Sequence, residues 1–439
     1  MIEAVQRRIE KNANELLTPR EIKEFETPQE VHQYIGETED GPVTAVRTQH
    51  RIREDGSGGG FKIVEVGADM PVDEMLALNR AHSLGLATLM TLKGGLIDLN
   101  LPGGYGNSFG GAKGEMFVPK GTLPTADNPS REKIDAVLEE YVLTQAEKGA
   151  IELAYDRHAP DMNSGPADMD VMARTLMTYT KDERARAAFS GKSLEEGGLE
   201  GREIATSQGL VYMLENQLRL LDRDPKRTTV AVQGSGNVGY HFARLASEQL
   251  GVKILGISDR FMAIEGSADA PIVVDETVQF KNRAIAGWNE EIHQVSGRPD
   301  DLLEMDVDVL VFAAAPDTIT KEKNNKHVVK APILLQGANN PFDEEAFDYY
   351  IQQGKFIAAD IDANKAGFVA SNFEYNQGMT GNRWTEHMAI EALRHIMDAS
   401  FKKVLTEAHD EHNLVDPAFR VAIKSEYEKD HSGLYTPSR

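Results

Sequence analysis

A glycine pattern in the second half of the chain restricts the fold most strongly. The segment "VAVQGSGNVGYHFARLA" carries Gly234, Gly236 and Gly239 in GxGxxG spacing, after an apolar run and before an amphipathic stretch. This pattern predicts a strand, a tight turn and a helix, in which the glycines let backbone approach a pyrophosphate and let helix and strand pack closely. The helix N-terminus would offer N–H groups to the phosphates. The unit therefore predicts a dinucleotide-binding site on a doubly wound α/β sheet.

The residues near this turn complete the predicted cofactor site. Asn237 and Val238 lie between the glycines, and Ala314 lies in a later apolar run. Asp259 ends the next predicted strand about 20 residues after the last glycine, where an acid meets the adenosine ribose. A carboxylate there favours NAD, because it would repel a 2′-phosphate, but the neighbouring Arg260 permits the opposite preference. The predicted cofactor is therefore NAD or NADP, and the alternative is a sheet whose glycines serve only packing.

The length of the chain and the order of its segments predict its domains. A chain of 439 residues is long for one hydrophobic core, so two domains are expected. Apolar runs at 307–316, 331–340 and 355–361 alternate with helical or polar segments, which predicts a parallel sheet. We predict three parts: an α/β substrate-binding domain over 1–204, a Rossmann-type dinucleotide-binding domain over 205–370, and C-terminal helices over 371–439 that return to the first domain.

The first half contains both helical and strand-like patterns. Apolar spacing predicts helices within 1–36 and over 71–93, 131–148 and 166–180. Alternation predicts strands at 43–52 and 60–67. Between these strands, "REDGSGGG" contains Gly58, Gly59 and Gly60 and predicts a turn-prone loop.

Composition excludes several classes of function. The chain has 70 acidic and 47 basic residues and a net charge of −23, which disfavours nucleic acid and anionic membranes as partners. The absence of cysteine excludes disulfides and thiolate chemistry and fits a cytoplasmic location. No apolar run approaches the ~18 residues that span a bilayer, and "MIEAVQRRIEKNANELL" lacks the apolar core of a secretory signal. We predict neither a membrane segment nor a metal site.

Three charged residues of the first half are candidates for the substrate site. Lys113 lies among small residues in "GGAKGE", Lys93 ends a predicted helix in "MTLKGG", and Asp161 lies in "RHAPDMNSG". A lysine between glycines is poorly suited to a helix or strand interior. Such glycines would let a substrate press against the backbone, although a flexible surface loop fits the pattern equally well. Asp161 alone would also fit a turn or a helix cap.

Seven segments, in order, resemble the glutamate/leucine/phenylalanine/valine dehydrogenase family. They are "MTLK", "GGAKG", "APD", "TSQG", "VAVQGSGNVG", "QGAN" and "DANKAGFVASNFEYNQ". The resemblance runs from about Arg47 to Gln377, and the length is similar to that of the glutamate branch. It implies reversible, NAD(P)-dependent oxidative deamination of an L-amino acid, and glutamate is the substrate that it favours most. The 2-oxo acid and ammonium are the other small-molecule partners. It also implies a homo-hexamer that assembles through the first domain.

The resemblance also implies roles for individual residues. It implies Lys113 and Asp161 for catalysis, Lys93, Ser371 and Gly59 for the substrate, and Thr206, Asn339 and Asn364 for the cofactor. The physical chemistry agrees with these roles, because two partly desolvated ammonium groups lower the pKa of each other. A lysine that is neutral near the working pH can then act as a base.

The sequence departs from the family at three points. Gly58 stands where glutamate enzymes carry a lysine for the side-chain carboxylate, although Ser371 matches their second contact and Lys62 lies slightly downstream. Residues 99–108 form an insertion. Glu115 replaces a glycine, and we expect it to pair with Lys113 and raise the pKa of that lysine. These departures leave two alternatives open: an apolar or unusual amino acid as substrate, or a catalytically weak regulatory subunit.

Overall fold

The computed structural model describes residues 2–53, 56–67, 69–97, 110–125, 127–151, 156–274, 294–296, 298–323 and 325–431. The predicted insertion at 99–108 lies outside them. The helices are α1 (Ile2–Ala13), α2 (Pro19–Glu26), α3 (Val72–Gly95), α4 (Glu132–Glu147), α5 (Pro166–Thr180), α6 (Ala205–Leu220), α7 (Asn237–Leu250), α8 (Glu344–Gln352), α9 (Asp360–Ala363), α10 (Ala366–Thr380), α11 (Glu386–Glu407) and α12 (Val415–His431). The strands are β1 (Glu30–Thr38), β2 (Gly41–Gln49), β3 (Ser57–Val66), β4 (Gly110–Pro119), β5 (Asp156–Pro160), β6 (Thr229–Gln233), β7 (Lys253–Ser258), β8 (Ala263–Glu265), β9 (Gln294–Ser296), β10 (Val309–Phe312), β11 (Ile333–Gln336), β12 (Phe356–Ala358) and β13 (Asn413–Leu414).

The first sheet carries most of the candidate substrate residues. Its described strands are ordered β1-β2-β4-β3-β5; β1, β2 and β4 pair antiparallel, and β3 runs parallel to both β4 and β5. Helix α3 lies over one face. The other face packs on α4 and α5 through apolar side chains such as Phe61, Met116 and Tyr141. Both faces of β4, the central strand, are therefore covered, which explains why every residue of β4 is buried.

Three local predictions for the first half are wrong. Gly58, Gly59 and Gly60 belong to β3 rather than to a loop, and Lys113 lies in the interior of β4. Backbone pairing on both sides of β3 provides the stability that the glycines lack intrinsically. Residues 30–36 are strand rather than helix, because β1 forms a long antiparallel ladder with β2. The predicted helices at 71–93, 131–148 and 166–180 are confirmed as α3, α4 and α5.

The second sheet has the predicted parallel core. Strands β12, β11, β10, β6 and β7 lie side by side and parallel, with β8 and β9 antiparallel at one edge and β13 at the other. The GxGxxG segment forms the predicted connection from β6 to α7. The predicted α/β class and Rossmann-type sheet are thereby confirmed.

The last helix returns to the first part of the chain. Helix α12 packs on α1 and α3, and its Glu426 carboxylate lies 2.6 Å from the buried Arg53 guanidinium. Lys11 of α1 forms an ion pair of 3.1 Å with Asp416 of α12. Helix α11 instead packs on α6, where the Asn216 amide donates to Asp398 at 2.8 Å. Within the described part of the chain, no helix has the length and apolarity needed to cross a membrane.

Candidate active site

The Lys113 ammonium lies against bare backbone on the α3 side of the first sheet. It is in direct contact with Oδ2 of Asp161, which follows β5. A Cβ built on Gly60 of the intervening strand would lie 2.5 Å from that Asp161 oxygen and 2.7 Å from Nζ of Lys113. Any larger residue at position 60 would therefore displace the pair. The structure thus brings Lys113 and Asp161 together, as predicted, and shows why glycine stands between them.

Two other glycines of this sheet leave space for helix α3 and for the backbone of the neighbouring strand. A Cβ on Gly111 would overlap the backbone nitrogen of Thr91, and a Cβ on Gly59 would overlap the carbonyl oxygen of Ala112 and touch Met90. The close approach of α3 brings its last turn, with Lys93, to the edge of the same site. These glycines have ordinary extended φ angles, so their function here is to leave space.

Lys113 is held in a state that favours the neutral amine. The pKa of Lys113 is lowered to about 7: burial is the largest cause, the positive charges of Lys93, Lys62 and Arg47 act in the same direction, and Glu115 acts in the opposite direction. The contact with Asp161 also favours the ammonium form. The pKa of Lys113 therefore lies close to neutral pH, as the predicted role in proton transfer requires.

The expected pairing of Glu115 with Lys113 is wrong. The Glu115 carboxylate is in contact with Nζ of Lys62 on the neighbouring strand, and its other oxygen lies 2.9 Å from Nδ1 of His82 on α3. Lys62 and Glu115 are directly opposite each other in the β3–β4 ladder, so their side chains share a face. The charge introduced by Glu115 is therefore largely compensated by Lys62, and the charge of Lys62 is likewise engaged.

Lys93 connects the first sheet to the second. Its ammonium donates to Oδ1 of Asn339 at 2.9 Å, and the same oxygen accepts a bond of 3.0 Å from the amide of Asn364. The pKa of Lys93 is lowered to about 8: burial is the largest cause, Asp360 opposes the shift, and Lys365 acts in the same direction as burial. The structure thus places Lys93, Asn339 and Asn364, three predicted site residues, in one hydrogen-bonded group at the junction of the two sheets.

Arg47 supports the site from the opposite face of the sheet. Its guanidinium forms two bonds of 2.7 Å with the buried carboxylate of Asp156, and it donates to the carbonyl oxygens of Gly59 (3.1 Å), Gly60 (3.2 Å) and Arg157 (2.6 Å). It thereby fixes the backbones of β3 and β5 behind Lys113. The only sequence signal for this role is an arginine within an apolar, alternating strand.

Helix α10 forms the wall opposite the glycine strands. The Ser371 hydroxyl accepts from the Arg202 guanidinium at 3.1 Å and donates to the Gly367 carbonyl at 3.1 Å. One helical turn later is Tyr375. The guanidinium carbon of Arg157 lies over its ring, 3.8 Å from the ring centroid. Predicted Ser371 thus has a second cation beside it, and neither Arg202 nor Arg157 stands out in the sequence.

The glycine turn of the second sheet has the geometry of a dinucleotide cradle. Gly234 has a φ of +97°, and a Cβ there would lie 2.7 Å from the backbone of Ala314. A Cβ on Gly239 would overlap the Gly234 carbonyl, so only glycine permits this approach of helix and strand. At Gly236 no described atom lies within 4 Å of a built Cβ, and none of the described side chains caps α7 at this residue. The open helix N-terminus therefore fits a pyrophosphate.

The remaining predicted cofactor residues surround this turn. Asn237 and Val238 begin α7, and the Asn237 amide donates to the Glu203 carbonyl at 2.8 Å. Asp259 follows β7, and its Oδ1 accepts the backbone N–H groups of Phe261 (2.6 Å) and Met262 (2.9 Å). Its carboxylate thus also shapes the loop. Thr206 opens α6, with its hydroxyl close to Gly367 at the start of α10.

Comparison with known proteins identifies the family of the chain. Residues 197–431, more than half of the chain, match the model of the Glutamate/Leucine/Phenylalanine/Valine dehydrogenase family. The glutamate dehydrogenase of Thermotoga maritima is 31% identical over 374 residues, which cover 84% of this chain and 81% of that protein. The chain belongs to this family. Membership confirms the predicted family and, at the level of the family, the predicted class of NAD(P)-dependent amino acid dehydrogenase.

Two further proteins resemble this chain, one over only part of its length and the other in fold. The NADP-specific glutamate dehydrogenase A1 of Halobacterium salinarum is 32% identical over 272 residues; the alignment covers 61% of this chain and 64% of that protein, so just under two thirds of the relative is spanned. The hetero-hexameric glutamate dehydrogenase of Thermus thermophilus has a TM-score of 0.81 at 20% identity, covering 98% of this chain and 96% of that one. The second likeness concerns the fold alone.

Proposed function

We propose that the protein interconverts L-glutamate and 2-oxoglutarate: L-glutamate + NAD(P)⁺ + water ⇌ 2-oxoglutarate + ammonium + NAD(P)H + H⁺. The observation that carries the proposal is the Lys113–Asp161 pair, set against the backbone of Gly60, beside a second buried lysine. The names of the two relatives support glutamate as the substrate.

Each charged residue of the pair has its own role in this reaction. Lys113, with a pKa of about 7, removes a proton from the attacking water and returns one in the reverse direction. Asp161, 30% exposed, exchanges protons with the substrate nitrogen. When bound, the nicotinamide accepts the hydride from the α-carbon. The bare glycine backbone lets the substrate lie in contact with these groups.

Lys93 is the proposed partner of the α-carboxylate. An ammonium group binds a carboxylate as a point charge and tolerates several geometries. Its present partner is the neutral oxygen of Asn339, a weaker acceptor than a carboxylate. Gly59 and Ser371 are proposed to line the same pocket.

The dinucleotide is proposed to lie on the turn from Gly234 to Gly239, with its pyrophosphate at the N-terminus of α7. The open space at Gly236 supports this placement. Asn237, Val238, Asp259 and Ala314 would contact its adenosine half, and Thr206, Asn339 and Asn364 its nicotinamide half. Either NAD or NADP agrees with Asp259 and the neighbouring Arg260.

The domain limits and the assembly are proposed as well. Residues 1–204 would bind the substrate and mediate assembly, 205–370 would bind the dinucleotide, and 371–439 would return to the first domain. We propose a homo-oligomer, a hexamer by family resemblance, in the cytoplasm.

Turnover with a panel of 2-oxo acids tests the proposed function. Purified protein receives 2-oxoglutarate, 2-oxoisocaproate or phenylpyruvate with ammonium, and the oxidation of NADH or NADPH is followed by absorbance. We expect the highest kcat/KM with 2-oxoglutarate. Turnover restricted to the apolar acids would overturn glutamate as the substrate, and no turnover with any pair would overturn the enzymatic proposal.

A further inference from the structure

We propose that Arg157 binds the side-chain carboxylate of the substrate, at the place where family resemblance expects a lysine and this chain has Gly58. The inference rests on the proposed function and names the residue that gives it glutamate specificity.

Arg157 is the cross-strand neighbour of Gly58. The two residues are paired in the β3–β5 ladder, and a Cβ built on Gly58 would lie 3.7 Å from the Cβ of Arg157. Gly58 and Gly60 are two residues apart on one strand, so they share a face. Since a Cβ on Gly60 would meet Nζ of Lys113, Arg157 extends from the same face as the catalytic pair.

The guanidinium of Arg157 is oriented by helix α10. It is stacked on the Tyr375 ring at 3.8 Å, and the residue is only 2% exposed. Tyr375 is four residues after Ser371, so both side chains lie on one side of α10. The cation therefore lies about one helical turn from the serine hydroxyl that the resemblance assigns to the side-chain carboxylate.

The spacing along β3 suits a dicarboxylate. Two residues of a strand span roughly 6.6 Å. The α-carbon of glutamate is separated from its distal carboxyl carbon by three bonds. A substrate with its reacting carbon at Lys113 therefore directs its distal carboxylate along the glycine backbone, towards Arg157. A guanidinium presents two parallel N–H groups to such a carboxylate.

Two neighbouring features support Arg157 over Lys62. The Lys62 ammonium is in contact with Glu115, so its charge is already engaged by a carboxylate. The backbone of Arg157 is held by a bond of 2.6 Å from Arg47 to its carbonyl oxygen. Arg47 donates to Gly59 and Gly60 as well, which fixes Arg157 relative to the strand that bears Lys113.

The test compares Arg157→Met with wild type on two substrates. Methionine keeps much of the side-chain length over Tyr375 but removes the charge. We expect the KM for 2-oxoglutarate to rise roughly 10- to 100-fold, as for loss of a charge-assisted bond, with a small change in kcat. The KM for 2-oxobutyrate, which lacks the distal carboxylate, should stay within about twofold.

A second variant restores the cation from the neighbouring strand. Gly58 has ordinary extended φ, and its built Cβ makes only van der Waals contact. The double variant Arg157→Met/Gly58→Lys should therefore regain most of the affinity for 2-oxoglutarate. Lys62→Met is the comparison variant, and its ratio of the two KM values should equal that of wild type.

The outcomes separate this proposal from the proposed function. If wild type turns over 2-oxoglutarate and Arg157→Met changes both KM values alike, or neither, the role of Arg157 is overturned while the function stands. Wild type without activity on 2-oxoglutarate overturns both. If Arg157→Met melts below the assay temperature, Arg157→Lys is measured instead. A selective, severalfold rise in the KM for 2-oxoglutarate then supports the proposal, and an unchanged ratio overturns it.

Discussion

The two glycine-rich regions of this protein use the same residue for different reasons. At the turn after β6, Gly234 adopts a left-handed φ of +97°, which few other residues tolerate. In β3 and β4, the glycines are extended, and they are needed because helix α3, Lys113 and Asp161 occupy the space of a side chain. The first region depends on conformational freedom and the second on the absence of volume. A glycine cluster can therefore be part of a buried, hydrogen-bonded sheet.

Added volume should break the strand region most severely. In Gly111→Ala the new methyl group overlaps the backbone of Thr91, so we expect a loss of about 3 kcal/mol or more in the free energy of unfolding. Gly236→Ala, with no described atom within 4 Å of the added carbon, should unfold like wild type. Urea denaturation followed by circular dichroism measures both. Equal stabilities would contradict the packing role of the strand glycines.

Removal of the Lys113 amine should greatly reduce turnover without affecting dinucleotide binding at the turn after β6. Lys113→Met is expected to lower kcat by about 10³-fold, since it removes a general base. NADH binding, measured by fluorescence, should be unchanged because the turn after β6 is intact. Lys120→Met, at an exposed position just after the same strand, is the matched control. A Lys113→Met enzyme with near-normal kcat would refute the catalytic role.

A negative charge at the turn after β6 should, in contrast, weaken dinucleotide binding. Gly236→Asp puts a carboxylate at the open N-terminus of α7, where it would repel a pyrophosphate, and we expect the Kd for the dinucleotide to rise at least about tenfold. Gly165 is also a helix N-cap with space around its built Cβ, but it precedes α5 in the first half. Gly165→Asp should therefore bind the dinucleotide normally. Equal affinities in the two variants would remove the turn from the proposed cofactor site.

The low pKa of Lys113 should also make the stability of the folded protein depend on pH. The unfolded chain, with the ordinary lysine value of 10.5, binds more protons than the folded one from about pH 7 upwards, so this group makes stability rise with pH across that window. Lys113→Met should therefore melt at a higher temperature than wild type at pH 7, by an amount that shrinks towards pH 10. Calorimetry at several pH values measures this. A pH-independent difference would contradict the lowered pKa.

The smallest expected effect concerns the tuning of that base. Deamination requires neutral Lys113, so kcat should rise with pH around 7. Glu115 acts to raise the pKa of Lys113, and Glu115→Gln should therefore move the midpoint to lower pH. The pH profile of kcat, recorded beside that of wild type, detects the displacement. A midpoint moved to higher pH would show that Glu115 acts on Lys113 in some other way.

The sequence predicted the turn region well because its constraints are local. Strand, glycine spacing and helix are contiguous, and Gly234 to Gly239 alone determine the geometry. Lys113 was harder: its flanking glycines argue against a strand unless one knows that α3 lies above them, and that packing joins residues distant in the chain. Arg47 and Arg157 were not predictable from pattern, since their roles depend on Asp156 and Tyr375. The family motifs provided the pairing of Lys113 with Asp161 that spacing left open.

The bond from Lys93, in the last turn of α3, to Asn339, after β11, occupies the ammonium that the proposed function assigns to the α-carboxylate. The α-carboxylate of the substrate must therefore displace a hydrogen bond that joins the two halves of the chain. Binding of the substrate and breaking of the Lys93–Asn339 hydrogen bond would then occur together, and release of the product would allow this bond to re-form. Asn339 thus gives the buried Lys93 ammonium a hydrogen-bond partner whenever the substrate carboxylate is not bound to it.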